Sequence, residues 1–120
     1  MFNEAQGYLD LGMFEEALLE LNQLHPDLLA SPGGLRILIR AATGLERWDM
    51  AFEVAILLRE GNRDDRIEAG CCFHSLAAHY YLDGRDAEAR AMILQAIETN
   101  PEQRERILED PRLAGLVFPE

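Results

Sequence analysis

The sequence has few of the residues that build disulfide frameworks, membrane anchors or export signals. Its only cysteines, Cys71 and Cys72, are adjacent and cannot supply the spaced bridges of a secreted scaffold. No uncharged apolar run reaches the roughly 18 residues that a transmembrane helix needs. The acidic N-terminal stretch also lacks the pattern of a signal peptide. We therefore expect a cytoplasmic protein with no membrane insertion.

Positive charge is also scarce. The chain contains no lysine, and its 11 arginines face 22 acidic residues, which gives a formal net charge of −11. A field of this sign repels nucleic-acid backbones and anionic membranes. The composition therefore disfavours both as partners.

Motifs that carry chemistry are missing as well. The glycines that follow Pro32 lack the Gly-Lys-Ser/Thr of a phosphate loop, and no nucleophile elbow or zinc-protease motif occurs. On a helix, Cys71 and His74 would lie on one side, while Cys72 and His79 would point to another, so they do not form a four-ligand metal site. We predict a protein that is not an enzyme, with no catalytic residues, no metal and no cofactor.

A group of carboxylates lies within 61–70. Asp64, Asp65 and Glu68 stand in this glycine-bounded stretch without the ligand spacing of a calcium loop. We interpret 61–70 as a solvated acidic loop. His79 and Asp83, four residues apart, are interpreted as a hydrogen-bonded surface or interhelix pair.

The clearest pattern is a repeat of paired amphipathic helices. The stretch 73–101 contains two apolar-periodic runs separated by a glycine-containing turn. Ala17, Ala51 and Ala89 occupy corresponding places, 34 and then 38 residues apart. A period of about 34 residues in paired helices is typical of a helical solenoid. The longer second interval is accommodated by the predicted loop at 61–70.

The third copy resembles the tetratricopeptide repeat (TPR) family. The residues that stand at the family's intervals are Leu76, Ala77, Tyr80, Gly84, Ala89, Ile93, Ala96 and Pro101. The resemblance implies an all-α TPR-like solenoid in one domain, 1–120, with three helix-turn-helix repeats at about 1–30, 31–64 and 68–101. The first repeat is abbreviated, and 102–120 resembles the C-terminal capping segment of some bacterial TPR arrays.

Local signals predict several helix ends. Ser31 and Pro32 form an N-cap and a first-turn proline, and Asp110 repeats this device before Pro111. Asn100 is predicted to cap the next helix, with Gln103 at its third position. Three glycines are predicted to provide left-handed residues at helix ends. They are Gly12, Gly44 and Gly84.

The first helix of each copy carries a second stripe opposite its packing face. By analogy with the family, these stripes line a concave groove that holds a segment of another protein. The predicted binding residues are Phe2, Gln6 and Leu9 in the first copy, Arg36, Arg40 and Thr43 in the second, and His74, Ala78 and Tyr81 in the third.

Arg36 and Arg40 are the most informative pair in these stripes. They lie one helical turn apart, and neither has an acidic residue three or four positions away. Two unneutralised guanidinium groups in an acidic chain suggest a site for a carboxylate or a phosphate, and in a bound protein segment the carboxylate would be an acidic side chain or a C-terminus. The alternative is that Asp10 or another acid on an adjacent helix pairs with them.

The sequence thus predicts a protein–protein interaction module, either an adaptor, a scaffold or a chaperone-like domain. Tyr81 and His74 would contact the bound segment, unless they belong to a solvated or packed helix surface. Phe2 and Leu9 would give the N-terminal end an apolar character, suited to a ligand or to a second copy of the chain. The alternative function is therefore a self-association domain that forms a homodimer.

Overall fold

Helices make up most of the chain. The computed structural model describes residues 2–119, and this part contains no β-strand. The helices are α1 (Asn3–Asp10), α2 (Phe14–Asn22), α3 (Pro26–Leu29), α4 (Pro32–Gly44), α5 (Trp48–Leu58), α6 (Arg63–Leu82), α7 (Asp86–Thr99), α8 (Gln103–Glu109), a 3-10 turn (Pro111–Leu113) and α9 (Ala114–Val117). The predicted all-α fold class is confirmed. No helix within 2–119 is both long enough and apolar enough to cross a membrane.

Several helix ends follow the expected capping chemistry. The Ser31 hydroxyl accepts a hydrogen bond from the Gly34 amide at 3.2 Å, and the Asp110 carboxylate accepts one from the Arg112 amide at 2.9 Å. Gly12 and Gly84 follow α1 and α6 with φ of 72° and 76°, the left-handed conformation that glycine adopts without strain.

Gly44 stands at a helix end as predicted, but its predicted left-handed conformation and the predicted Asn100 cap are wrong. Gly44 is the last residue of α4, and Glu46 instead takes the left-handed conformation, with φ of 57°. Gly44 is needed for close approach, because a Cβ there would lie 2.5 Å from the Phe14 ring. Asn100 does not cap α8, which begins at Gln103 with no side-chain cap.

The predicted loop at 61–70 is also wrong. Only Gly61 and Asn62 connect α5 to α6, and α6 begins at Arg63. The Asn62 side chain accepts from the Asp65 amide at 2.9 Å, while the Asp65 carboxylate accepts from the Asn62 amide at 3.0 Å. This reciprocal capping box starts a helix within a stretch whose polar composition predicted a loop.

The helices pack in consecutive pairs, α1 with α2, α4 with α5, and α6 with α7. Helix α4 also contacts α1 and α2 on one side and α5 and α6 on the other. The molecule measures 50 × 25 × 21 Å. Ala17, Ala51 and Ala89, the alanines that define the repeat, are fully buried, as their role in close helix packing requires.

The apolar core has two parts along the chain. Around α1 and α2 the buried residues include Leu9, Leu21 and Ile37, whereas Phe73 and Leu76 lie in the larger part built on α4 to α9. Leu38 on α4 packs against both parts. The core is therefore continuous through α4.

Candidate binding cleft

A cleft of 270 Å³ opens where α1, α4 and α6 meet. Its lining residues are Phe2, Asn3, Gln6, Gly33, Arg36, Ile37, Arg40 and Glu68. Four of the nine predicted binding residues lie here, and they are Phe2, Gln6, Arg36 and Arg40. The structure therefore brings the predicted stripes of the first and second copies together.

Arg36 is not an unneutralised cation. Its guanidinium group donates to the carboxylate of Asp65, which is almost fully buried on the first turn of α6. The expectation that 61–70 is solvated hid this partner, and the capping box fixes the Asp65 side chain toward α4. Asp10, the acid considered from the sequence, instead accepts a hydrogen bond from Nε2 of the Gln6 side chain at 2.9 Å.

Arg40 differs from Arg36 in its surroundings. Arg40 is exposed, and no acidic residue within 2–119 forms an ion pair with it. Glu68 on α6 lines the same cleft. Burial raises the pKa of the Glu68 carboxyl, while Arg40 and Arg36 act in the opposite direction. Arg40 is therefore the guanidinium group of the cleft that can take a new anionic partner.

One wall of the cleft is aromatic. The Phe2 ring covers Gly33 at the start of α4, since a Cβ on Gly33 would lie 2.9 Å from the ring edge. Asn3 and Gln6 follow Phe2 on α1 and add amide groups to the same wall. The cleft thus places an apolar surface beside amide donors and acceptors, a combination suited to a peptide.

Leu9 and Thr43 lie outside the lining of this cleft. Leu9 is 6% exposed and packs in the N-terminal part of the core. The Thr43 hydroxyl donates to the Ile39 carbonyl at 2.7 Å and lies 3.8 Å from the Cys72 thiol on α6. Neither side chain is presented to the cleft.

The third predicted stripe faces the C-terminal segment rather than an open groove. His74 contacts Asp110 through Nε2 at 2.7 Å and Gln103 through Nδ1 at 2.8 Å. Ala78 is buried, and the Tyr81 hydroxyl lies close enough to Gly115 to leave no room for a Cβ there. The expectation of a free concave stripe at these positions is wrong because α8, the 3-10 turn and α9 cover it.

Asp110 organises this contact. Hydrogen bonds from the Arg112 guanidinium to both carboxylate oxygens, one from the Arg112 backbone amide and one from His74 hold the pKa of the Asp110 carboxyl well below its usual range. The N-cap signal of Asp110 and Pro111 was visible in the sequence. The pairing of Asp110 with His74, 36 residues away, was not visible in the sequence.

Cys71, Cys72 and His79 have separate contacts in the structure. Burial raises the pKa of the Cys72 thiol to about 11, and Cys71 lies beside Gln103 and Arg106 at 3.8 Å. His79 stacks on Trp48, in place of the predicted contact with Asp83. No group of three potential metal ligands occurs among residues 2–119.

The comparisons with known proteins add no relative. The chain matches no protein-family model, no curated protein and no solved structure.

Proposed function

We propose that this protein is a non-enzymatic protein–protein interaction module with a TPR-like architecture. Its three helix-turn-helix repeats are α1 with α2, α4 with α5, and α6 with α7, and α8 to α9 form the capping segment. The contacts between consecutive pairs and the buried alanines support this assignment. The bound segment of the partner occupies the cleft between α1, α4 and α6.

The observation that carries the proposal is the exposed Arg40 beside the aromatic wall of Phe2. A protein segment places apolar side chains against Phe2, while its main chain meets the amides of Asn3 and Gln6. An acidic side chain or a C-terminal carboxylate then pairs with Arg40, which can donate two parallel hydrogen bonds. Arg36 contributes indirectly, since its pair with Asp65 holds α4 against α6.

Arg40 is also the residue on which the function can be tested cleanly. Arg40→Glu reverses the charge of an exposed side chain that has no ion pair among the described residues. Arg90→Glu on α7 makes the same charge change at another exposed arginine, and it serves as the matched control. Arg36→Glu is unsuitable because it would place two carboxylates together at a buried position.

The experiment is affinity purification from the source cells, followed by overlapping peptides of whichever proteins copurify. We expect Arg40→Glu to weaken binding of the recognised peptide by about fivefold or more, as lost ion pairs of about 1 kcal/mol do. Arg90→Glu should leave binding unchanged. Equal affinities for both variants would remove Arg40 from the site, and a wild-type chain that retains no protein would contradict the proposal.

Self-association remains the second hypothesis, and sedimentation over a range of concentrations decides it. Its predicted apolar edge included Leu9, which is buried in the monomer. A chain that stays monomeric throughout would exclude the homodimer.

A further inference from the structure

A second groove lies between the turn joining α4 to α5 and the turn joining α6 to α7. It has a volume of 560 Å³ and is formed by residues outside the binding cleft. Its lining residues are Glu46, Arg47, Trp48, Asp49, Met50, His79, Tyr80 and Arg85. The proposed function makes no use of these residues.

The internal repeat shows that an ion pair is missing here. At the preceding interface, Arg47 pairs with Glu15 of the first copy. The corresponding residues at this interface are Arg85 and Asp49, and they do not pair. Arg85 instead pairs with Glu88 at 2.7 Å and lies over the Tyr80 ring, 4.5 Å from its centre.

Comparing the two repeat interfaces also explains the position of the Trp48 ring. Phe14, the counterpart of Trp48, packs against Gly44. Leu82 stands where Gly44 would be expected, and its side chain is largely exposed. Trp48 stacks on His79 instead, with ring centres 4.7 Å apart and planes inclined by 21°. The indole ring is thereby placed in the groove.

The charges left in this groove are negative. Arg47 and Arg85 are paired with Glu15 and Glu88, which do not line the groove. Glu46 and Asp49 do line it, and neither forms an ion pair with any residue in 2–119. The net charge of −11 adds a field that attracts cations to the whole surface.

We propose that this groove binds an arginine or lysine side chain from a basic segment of a partner protein. A carboxylate beside an aromatic ring suits a guanidinium group, which pairs with the first and stacks on the second. The Asp49 carboxylate, which does not pair with Arg85, forms an ion pair with the bound basic side chain. The Trp48 ring provides the apolar surface beside it. The segment therefore carries a charge opposite to the one that Arg40 would bind in the cleft.

Trp48 makes the proposal directly testable, because it is the only tryptophan in the chain. The probe is an octapeptide of alternating arginine and glycine, titrated at about 0.05 M salt to limit screening. Its comparison is the glutamate–glycine peptide of the same length. We expect a saturable change in Trp48 fluorescence with the arginine peptide only, and shifts in the backbone amide resonances of 46–50 and 79–85.

Two variants separate a specific site from general attraction to an acidic protein. Asp49→Asn removes the groove carboxylate, whereas Glu53→Gln removes an exposed carboxylate further along α5. We expect Asp49→Asn to lower the affinity for the arginine peptide by about three- to fivefold, and Glu53→Gln to leave this affinity nearly unchanged. Equal weakening by both variants, or resonance shifts outside the two turns only, would overturn the proposal. Arg40→Glu should not weaken binding of the arginine peptide. The cleft proposal and the groove proposal can therefore be refuted separately.

Discussion

Replacing Arg36 by methionine should destabilise the fold through the acid that it leaves behind. The Asp65 side chain is 4% exposed and the Arg36 side chain 32%. Removing one partner of a fully buried ion pair costs about 3–5 kcal/mol, because the other charge stays buried without compensation. Here Arg36 reaches solvent, and Asp65 keeps its 3.0 Å hydrogen bond from the Asn62 amide. We therefore expect a loss of about 2–3 kcal/mol in the free energy of unfolding.

The measurement is urea unfolding followed by circular dichroism, supported by thermal midpoints. At about 4 °C per kcal/mol for a domain of this size, the midpoint should fall by about 10 °C. Arg90→Met, at an exposed arginine, is the control and should change stability by less than about 0.5 kcal/mol.

A double-mutant cycle identifies Asp65 as the cause. Asp65→Asn can retain the hydrogen bond from the Asn62 amide while removing the buried charge, so Arg36→Met should cost under about 1 kcal/mol in that background. If Arg36→Met costs the same whether position 65 is Asp or Asn, the ion pair does not stabilise the fold as argued.

Two further predictions concern other parts of the molecule. Gly34→Ala should cost about 3 kcal/mol, because its Cβ would lie 2.5 Å from the Leu28 carbonyl oxygen, whereas Gly7→Ala, with open space around it in α1, should add about 0.5–1 kcal/mol. Equal thermal midpoints for these two variants would contradict the packing described for α4. Asp110→Asn should cost about 2 kcal/mol at neutral pH through its charged hydrogen bonds. Since the folded-state pKa of Asp110 is lowered, its contribution is present above the unfolded value of about 3.9 and is lost as pH falls below it. The stability difference between wild type and Asp110→Asn should therefore shrink in acid, and a difference that is constant with pH would contradict the role of the charge.

Helical periodicity was sufficient to predict an all-α chain, because apolar spacing and capping residues act locally. It also predicted that Phe2 and Arg40 contribute to one binding surface, and both line the cleft. The start of α6 was missed because Asn62 and Asp65 have the composition of a loop and become a helix start only through reciprocal hydrogen bonds.

The partners of Arg36 and His74 were missed for a different reason. Asp65 lies 29 residues from Arg36, and Asp110 lies 36 residues from His74. Both pairs depend on how one helix is rotated against another, and a pattern of apolar residues defines a helix face only coarsely.

Helix α6 extends over 20 residues, about 30 Å, and contacts α4 and α5 on one side and α7 and α8 on the other. Helix α1, near one end of the chain, contacts mainly α2 and α4, whereas α9, near the other end, contacts mainly α8 and the 3-10 turn. Either end can therefore open without exposing the core that α6 shares with the other end. Amide hydrogens near Phe73 and Leu76 should exchange only when the whole domain unfolds, whereas those of α1 and α9 exchange through smaller openings of lower free energy.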